Sequence, residues 1–177
     1  SINPLDKMVR DGEFKLLLKY RTPFVLGHDL AGVVTQVGAD VPGYRVGDEV
    51  YARPRDLRIG AFAEYIAIDH ADIALKPNSL TMEESAAVPL VALAAWQSLV
   101  DRARVKPGQK VLVHGASGGV GSFAVQIAKA LGAEVTAVCS TKNVEHARRL
   151  GADHVFDYTK EDFTRSGQQY DLLFNAN

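Results

Sequence analysis

A glycine-rich heptapeptide, Gly115-Ala116-Ser117-Gly118-Gly119-Val120-Gly121, is the part of this chain best suited to chemistry. It follows a β-branched run, Lys110-Val111-Leu112-Val113-His114, and precedes an amphipathic one from Ser122 to Leu131, with apolar positions Phe123, Val125, Ile127, Ala128 and Leu131. A strand entering a helix through such a turn leaves the first helical amides without intrahelical acceptors, where an anion can sit. The pattern predicts a diphosphate cradle made by Ala116, Ser117, Gly118, Gly119, Val120 and Gly121. Gly118 is expected to let the diphosphate approach the backbone, and Gly121 to let the helix pack close to the strand. Ala116 stands where the commonest dinucleotide fingerprint has its first glycine. The plainer reading is a tight strand-to-helix connection with no ligand.

The flanking residues extend the dinucleotide reading. After Gly132-Ala133 comes a second strand pattern, Glu134-Val135-Thr136-Ala137-Val138-Cys139, which completes a βαβ unit. An Asp or Glu at the end of that strand would bind the adenosine ribose hydroxyls of NAD. Here the end reads Cys139-Ser140-Thr141-Lys142-Asn143. With no carboxylate in that run, Ser140, Thr141 and Lys142 are expected to receive a 2′-phosphate, which favours NADPH over NADH. The alternative for Lys142 is a solvated loop lysine.

Composition bounds the rest. The chain has 177 residues, is 47% hydrophobic, and carries 20 basic and 21 acidic side chains for a net charge of −1. This suits one globular domain or two small ones. No basic block points to nucleic acid, and no apolar run approaches a membrane span. The start, Ser1-Ile2-Asn3-Pro4, has neither a signal-peptide core nor an initiator Met, as expected of a segment of a longer chain. The single cysteine, Cys139, excludes an internal disulfide and a four-cysteine zinc lobe, fits a cytoplasmic setting, and reads as a small core residue.

The elements that would position the turn fall into two textures. Residues 1 to about 75 hold short strand patterns between Gly, Pro and Asp: 32–38, 47–51 and 61–68. Residues 53–60 read as an exposed loop. Thr81 is the expected N-cap of a helix with Glu83 and Glu84 in its first turn, and Pro89 marks a break or fresh start in the apolar run to Val100. Beyond Pro107 strand and helix patterns alternate at 110–114, 122–131, 134–139, 143–150, 153–156 and 170–174, which predicts a parallel, doubly wound sheet. The fold class is therefore α/β, a doubly wound parallel sheet preceded by a β-rich domain.

Gly108-Gln109-Lys110-Val111-Leu112, the glycine turn and Gln126-Ile127-Ala128-Lys129 together resemble the signature of quinone oxidoreductases and ζ-crystallins, a branch of the medium-chain dehydrogenase/reductase superfamily. Asn3-Pro4-Leu5-Asp6, Leu26 to Val34 (with Gly27-His28-Asp29), Val46 to Val50, Leu150-Gly151-Ala152-Asp153 and Asp157-Tyr158 follow in that family's order. The resemblance covers essentially the whole chain. It implies a partial GroES-like substrate domain at residues 1–88, a partial Rossmann NADPH domain at 89–177, and an active site in the cleft between them. It also implies a longer protein, extended at both ends and dimeric when complete, whose sheet here would be the 3-2-1-4 part of a 3-2-1-4-5-6 order.

Further implications attach to single residues. Zinc-dependent relatives place ligands where this chain has Asn3, His28 and about Val91, so only His28 could ligate and no metal is expected. His28 is expected to be a polar or hydrogen-bonded structural histidine. Without a Lewis acid, the implied reaction is hydride transfer from NADPH to a quinone or to an enone or enal. Asn3 either orients the acceptor carbonyl through its amide or caps the turn before Pro4. Tyr158 either packs near the 2′-phosphate or covers the core as a strand-end aromatic, and Asn175 is placed near the nicotinamide. Ala94 stands where many relatives have a ribose-contacting Thr, and Trp96 is expected in the core. Two other readings stay open. One is a 2-enoyl thioester reductase, disfavoured because Asp11-Gly12-Glu13-Phe14 offers no tyrosine. The other is a non-catalytic NADPH-binding protein of the crystallin or adaptor kind.

Overall fold

The computed structural model describes residues 1–13, 15–16 and 19–177; Phe14, which closes the tyrosine-free stretch noted above, lies outside them. The chain divides into two units, Ser1–Leu90 and Val91–Asn177.

The first unit opens with helix α1 (Pro4–Asp11), begun by a proline in its first turn and ended by Gly12 in the left-handed conformation. Strands β1 (Leu30–Val33), β2 (Glu49–Ala52) and β3 (Ile73–Leu75) form an antiparallel sheet in the order β1-β2-β3. Helix α2 (Met82–Ala86) starts as expected at Thr81. The Thr81 hydroxyl accepts the Glu84 N–H at 3.1 Å while the Glu84 carboxylate accepts the Thr81 N–H at 2.8 Å, a reciprocal cap of the kind worth about 1 kcal/mol. Pro89 then begins helix α3 (Pro89–Trp96), which runs into one wide helical turn at Gln97–Arg102.

One strand expectation fails. Residues 61–68 are paired in no ladder among the described residues. The Ala61 and Phe62 amides instead donate to Gly27 and Leu26 carbonyls, and residues 63–68 face 31–38 across a groove of about 1080 Å³ that keeps the two backbones apart. The strand at 73–75 takes the pairing with β2.

The second unit is a four-stranded parallel sheet of β4 (Lys110–His114), β5 (Glu134–Cys139), β6 (His154–Asp157) and β7 (Leu172–Asn175), in the order β6-β5-β4-β7. That is the 3-2-1-4 arrangement expected of a doubly wound fold. Helix α4 (Gly119–Ala130) connects β4 to β5, and α5 (Val144–Arg149) connects β5 to β6. Val111 and Val113 of β4, Val135 and Ala137 of β5, and Ala124, Val125 and Ala128 of α4 share one buried cluster with Ala95 and Leu99. Trp96, expected in this core, is instead half exposed. It lies three residues after the exposed Leu93, one turn along the same side of α3.

Helix α4 begins at Gly119, three residues before the position that the apolar periodicity predicts. Two early glycines would ordinarily disfavour helix, but packing overrides that preference. A Cβ on Gly121 would lie 2.1 Å from the Gly115 carbonyl oxygen and 2.9 Å from Ala116 Cα, whereas a Cβ on Gly118 would meet only Gly115 O at 3.5 Å. Gly121→Ala should therefore cost roughly 1–3 kcal/mol or more in urea unfolding, while Gly118→Ala costs about 1 kcal/mol or less. Equal costs would mean that the helix is not pressed against the turn.

Candidate nucleotide-binding site

The expected site residues of the second unit gather along one edge of its sheet. In a parallel sheet all carboxyl ends lie together, and that edge is where α/β folds bind ligands. The β4 end carries the turn Gly115–Gly118 and the start of α4; the β7 end carries Asn175, in register with His114. The β5 end carries Ser140, Thr141 and Lys142, and the β6 end Asp157 and Tyr158.

Gly115, at φ +77°, starts the turn, and the Gly118 N–H returns to its carbonyl at 3.1 Å. Ala116 is buried and donates its N–H to Val138 O at 3.2 Å, so its amide supports the sheet. The first bond that closes α4 runs from the Ser122 N–H to Gly118 O at 2.9 Å. The amides of Gly119, Val120 and Gly121 precede it, and among the described residues they find no acceptor. They open a twelve-residue helix whose N-cap, Gly118, brings no capping side chain. Nothing in the protein itself fills the space that a Gly118 side chain would take. Three free donors, a helix N-terminus and an open place above a glycine fit the diphosphate of a dinucleotide.

The neighbouring strand ends hold a tighter polar network. Asp157 is in register with Cys139 and is buried. Its Oδ2 accepts the Thr141 hydroxyl at 2.5 Å, and its Oδ1 accepts the Thr159 hydroxyl at 2.6 Å and the Thr159 N–H at 3.1 Å. Lys160 Nζ stands 3.4 Å from Oδ2. The threonine hydroxyls, Thr141 first, hold the Asp157 carboxyl down to about 2. This corrects one step of the sequence reading. No carboxylate follows β5 in sequence, yet pairing with β6 sets one beside it. The signal was there in the Asp157-Tyr158 pair, but only strand register reveals what that aspartate faces. Lys142 is exposed and has no carboxylate partner among the described residues; Ser140 accepts from Asn143 Nδ2 at 3.3 Å and keeps its own hydroxyl hydrogen. Tyr158 is 57% exposed, so it does not cover the core. Cys139 is buried as expected, and that burial, with the charge of Asp157, pushes its thiol up.

Asn175 lies with its side-chain oxygen 3.2 Å from His114 Nδ1, and the Ala176 N–H donates to His114 O at 2.9 Å. Asn3 belongs to the first unit. Its buried amide group donates to Asp29 Oδ2 at 2.7 Å and, at 3.4 Å, to Ser1 Oγ, while its backbone N–H donates to Asp6 at 2.8 Å as the residue preceding α1. Asp6 also accepts the Gly27 N–H at 3.1 Å and lies 2.7 Å from His28 Nδ1. A carboxylate only accepts, so Nδ1 carries the hydrogen. His28 is thus hydrogen-bonded and wholly buried, with Nε2 lacking a partner among the described residues. Composition alone gave no sign of this Asp6–His28–Asn3–Asp29 network.

Comparison with known proteins agrees with this architecture. Residues 1–78 match the alcohol dehydrogenase GroES-like domain, and residues 119–175 match the zinc-binding dehydrogenase family. The chain is 39% identical to the mitochondrial NAD(P)H oxidoreductase RTN4IP1 of Mus musculus, over 99% of its own length and 49% of that protein. It is 38% identical to the chloroplastic NADPH-dependent alkenal/one oxidoreductase of Arabidopsis thaliana, over 99% of its length and 47% of that protein. The solved quinone oxidoreductase of Coxiella burnetii superposes with a TM-score of 0.85 at 32% identity, covering 98% of this chain and 56% of the other. The chain belongs to the quinone oxidoreductase branch of the medium-chain dehydrogenase/reductase superfamily. It spans about half the length of the curated relatives it matches.

Asp157 gives the site a measurable pH signature. Its folded value of about 2 lies below the ordinary 3.8, so its contribution to stability is complete above about pH 4 and is lost as pH falls toward 2. Asp157→Asn should lower Tm at neutral pH, and the parent and variant curves should converge between about pH 4 and pH 2. A gap that stays constant over that range would show that the threonines do not stabilise the charged form.

Proposed function

We propose that this protein transfers a hydride from NADPH to a quinone or to an α,β-unsaturated carbonyl, without zinc. The observation that carries the proposal is the set of free amides at Gly119, Val120 and Gly121 beneath an open Gly118, with the unpaired Lys142 at the adjacent strand end. The printed names of the relatives, an NADPH-dependent alkenal/one oxidoreductase and a quinone oxidoreductase, support the acceptor class.

When bound, the nicotinamide supplies a hydride to the electrophilic carbon of the acceptor. The chain's own part is to hold and discriminate. The α4 amides hold the diphosphate, with Ser117 and Ala116 shaping the turn. Ser140, Lys142 and Tyr158 meet the 2′-phosphate, and Asn175 flanks the ring. Negative charge that develops on the acceptor oxygen must be met by hydrogen-bond donors. Asn3 is assigned that part through the amide hydrogen that makes only the long contact to Ser1. Residues 1–88 then serve the acceptor and residues 89–177 the nucleotide.

The zinc-free reading rests on donor chemistry. Among the described residues no three His, Cys, Asp or Glu side chains gather as ligands, and Asp6 occupies one nitrogen of His28. No helix among the described residues is long and apolar enough to cross a membrane. The same proposal takes the complete protein to be a cytoplasmic homodimer, although the two curated relatives above are named as mitochondrial and chloroplastic.

The full-length protein should oxidise NADPH with 1,2-naphthoquinone and act poorly on crotonyl-CoA. Lys142→Ala should weaken NADPH about fivefold and NADH less than about twofold, and Gly118→Glu should weaken both by at least about tenfold. Preference for crotonyl-CoA would make it a thioester reductase, and tight NADPH binding without turnover of either would make it a binding protein. Stoichiometric zinc would overturn the metal-free chemistry.

A further inference from the structure

The proposed 2′-phosphate site has an internal arrangement that its list of polar residues conceals. Thr141, Thr159 and Ser140 all bring hydroxyls to the ends of β5 and β6, and each hydroxyl carries one hydrogen. The Thr141 and Thr159 hydroxyls lie 2.5 and 2.6 Å from separate oxygens of Asp157, and 2.9 Å from each other. A carboxylate can only accept, so both threonine hydrogens are spent on it. Thr141 therefore has no hydrogen left for a phosphate. Ser140 does, and Lys142 has its whole ammonium free among the described residues.

Thr141 also begins the short 3-10 turn Thr141–Asn143, which carries Lys142 at its centre. The bond from Thr141 to Asp157 ties the first residue of that turn to the end of the neighbouring strand. Asp157 is itself held by register with Cys139 and by the Thr159 N–H. The Tyr158 N–H, donating to Cys139 O at 3.1 Å, closes the same pair of strand ends. The placement of Lys142 thus depends on a carboxylate fifteen residues further along the chain, on a different strand.

We propose that Asp157 is a positioning residue for cofactor choice, anchoring through Thr141 the turn that presents Ser140 and Lys142 to a 2′-phosphate. The inference rests on the NADPH reading above. A bare negative charge beside a phosphate would act in the opposite sense, by repulsion; Asp157 here has two hydroxyls and a lysine within reach, and its charge is turned to those.

The test measures NADPH and NADH binding to the full-length protein by cofactor fluorescence. Asp157→Asn keeps the size of the side chain but leaves one accepting oxygen, and Thr141→Val keeps the shape and removes the hydroxyl. Each should weaken NADPH about fivefold and NADH less than about twofold, and the double variant should be no worse than Asp157→Asn alone. Thr141 is exposed, so Thr141→Val decides the question even if Asp157→Asn does not fold. Equal weakening of both cofactors would reduce the contact to ordinary structural support and overturn the proposal. Unchanged binding would overturn it too, as would tighter NADPH binding by Asp157→Asn, the mark of repulsion. Lys142→Ala separates the two levels. If it fails to discriminate between the cofactors, the NADPH reading falls; if it discriminates while Thr141→Val does not, only this inference falls.

Discussion

The contact between Gly121 and the Gly115 carbonyl is the constraint on which the second unit depends. No side chain fits there, since a Cβ would stand 2.1 Å from the carbonyl oxygen. The first turn of α4 is therefore pressed against the end of β4, and its early amides open directly over the strand that precedes them. Moving the helix outward to admit a methyl group would separate α4 from Val111 and Val113 and open the buried cluster. It would also carry the amides of Gly119, Val120 and Gly121 away from the sheet edge. Packing and ligand geometry are one requirement at this place.

The opposite end of the same edge is built differently. The glycine turn offers backbone donors and has no charged group of its own, while the β5 and β6 ends rely on side chains whose hydrogens are already apportioned. Asp157 accepts from two threonines, and the remaining polar groups, Ser140 and Lys142, are left for solvent or ligand. A parallel sheet makes this division natural, because residues distant in sequence arrive side by side when strands are in register.

The local elements were legible in the sequence where one kind of evidence dominated. Strands 110–114 and 134–139 coincide with β4 and β5 because every residue from Val111 to Val113, and from Val135 to Cys139, is buried. Thr81 and Glu84 form the reciprocal cap that their spacing predicts. Legibility failed where distant contacts decide. Residues 61–68 alternate like a strand, but a ladder needs a partner backbone, and theirs lies across a groove. Gly119 to Gly121 are poor helix formers that tertiary packing makes helical. The glycine turn is read from local sequence alone, whereas Asp157 beside Thr141 and the hydrogen bond of Asn3 to Asp29 span 16 and 26 residues. No pattern within a short window encodes such pairs.

Asp29 has a consequence for how the first unit assembles. Its two oxygens accept from Ser1 and Asn3 at the chain's start and from the Leu90 N–H, 61 residues further on. One carboxylate thus closes a very large loop, whose entropic cost must be met before the bond yields any return. Residues 1–3 and the start of α3 are therefore fastened to the same side chain, so that losing Asp29 would release both at once.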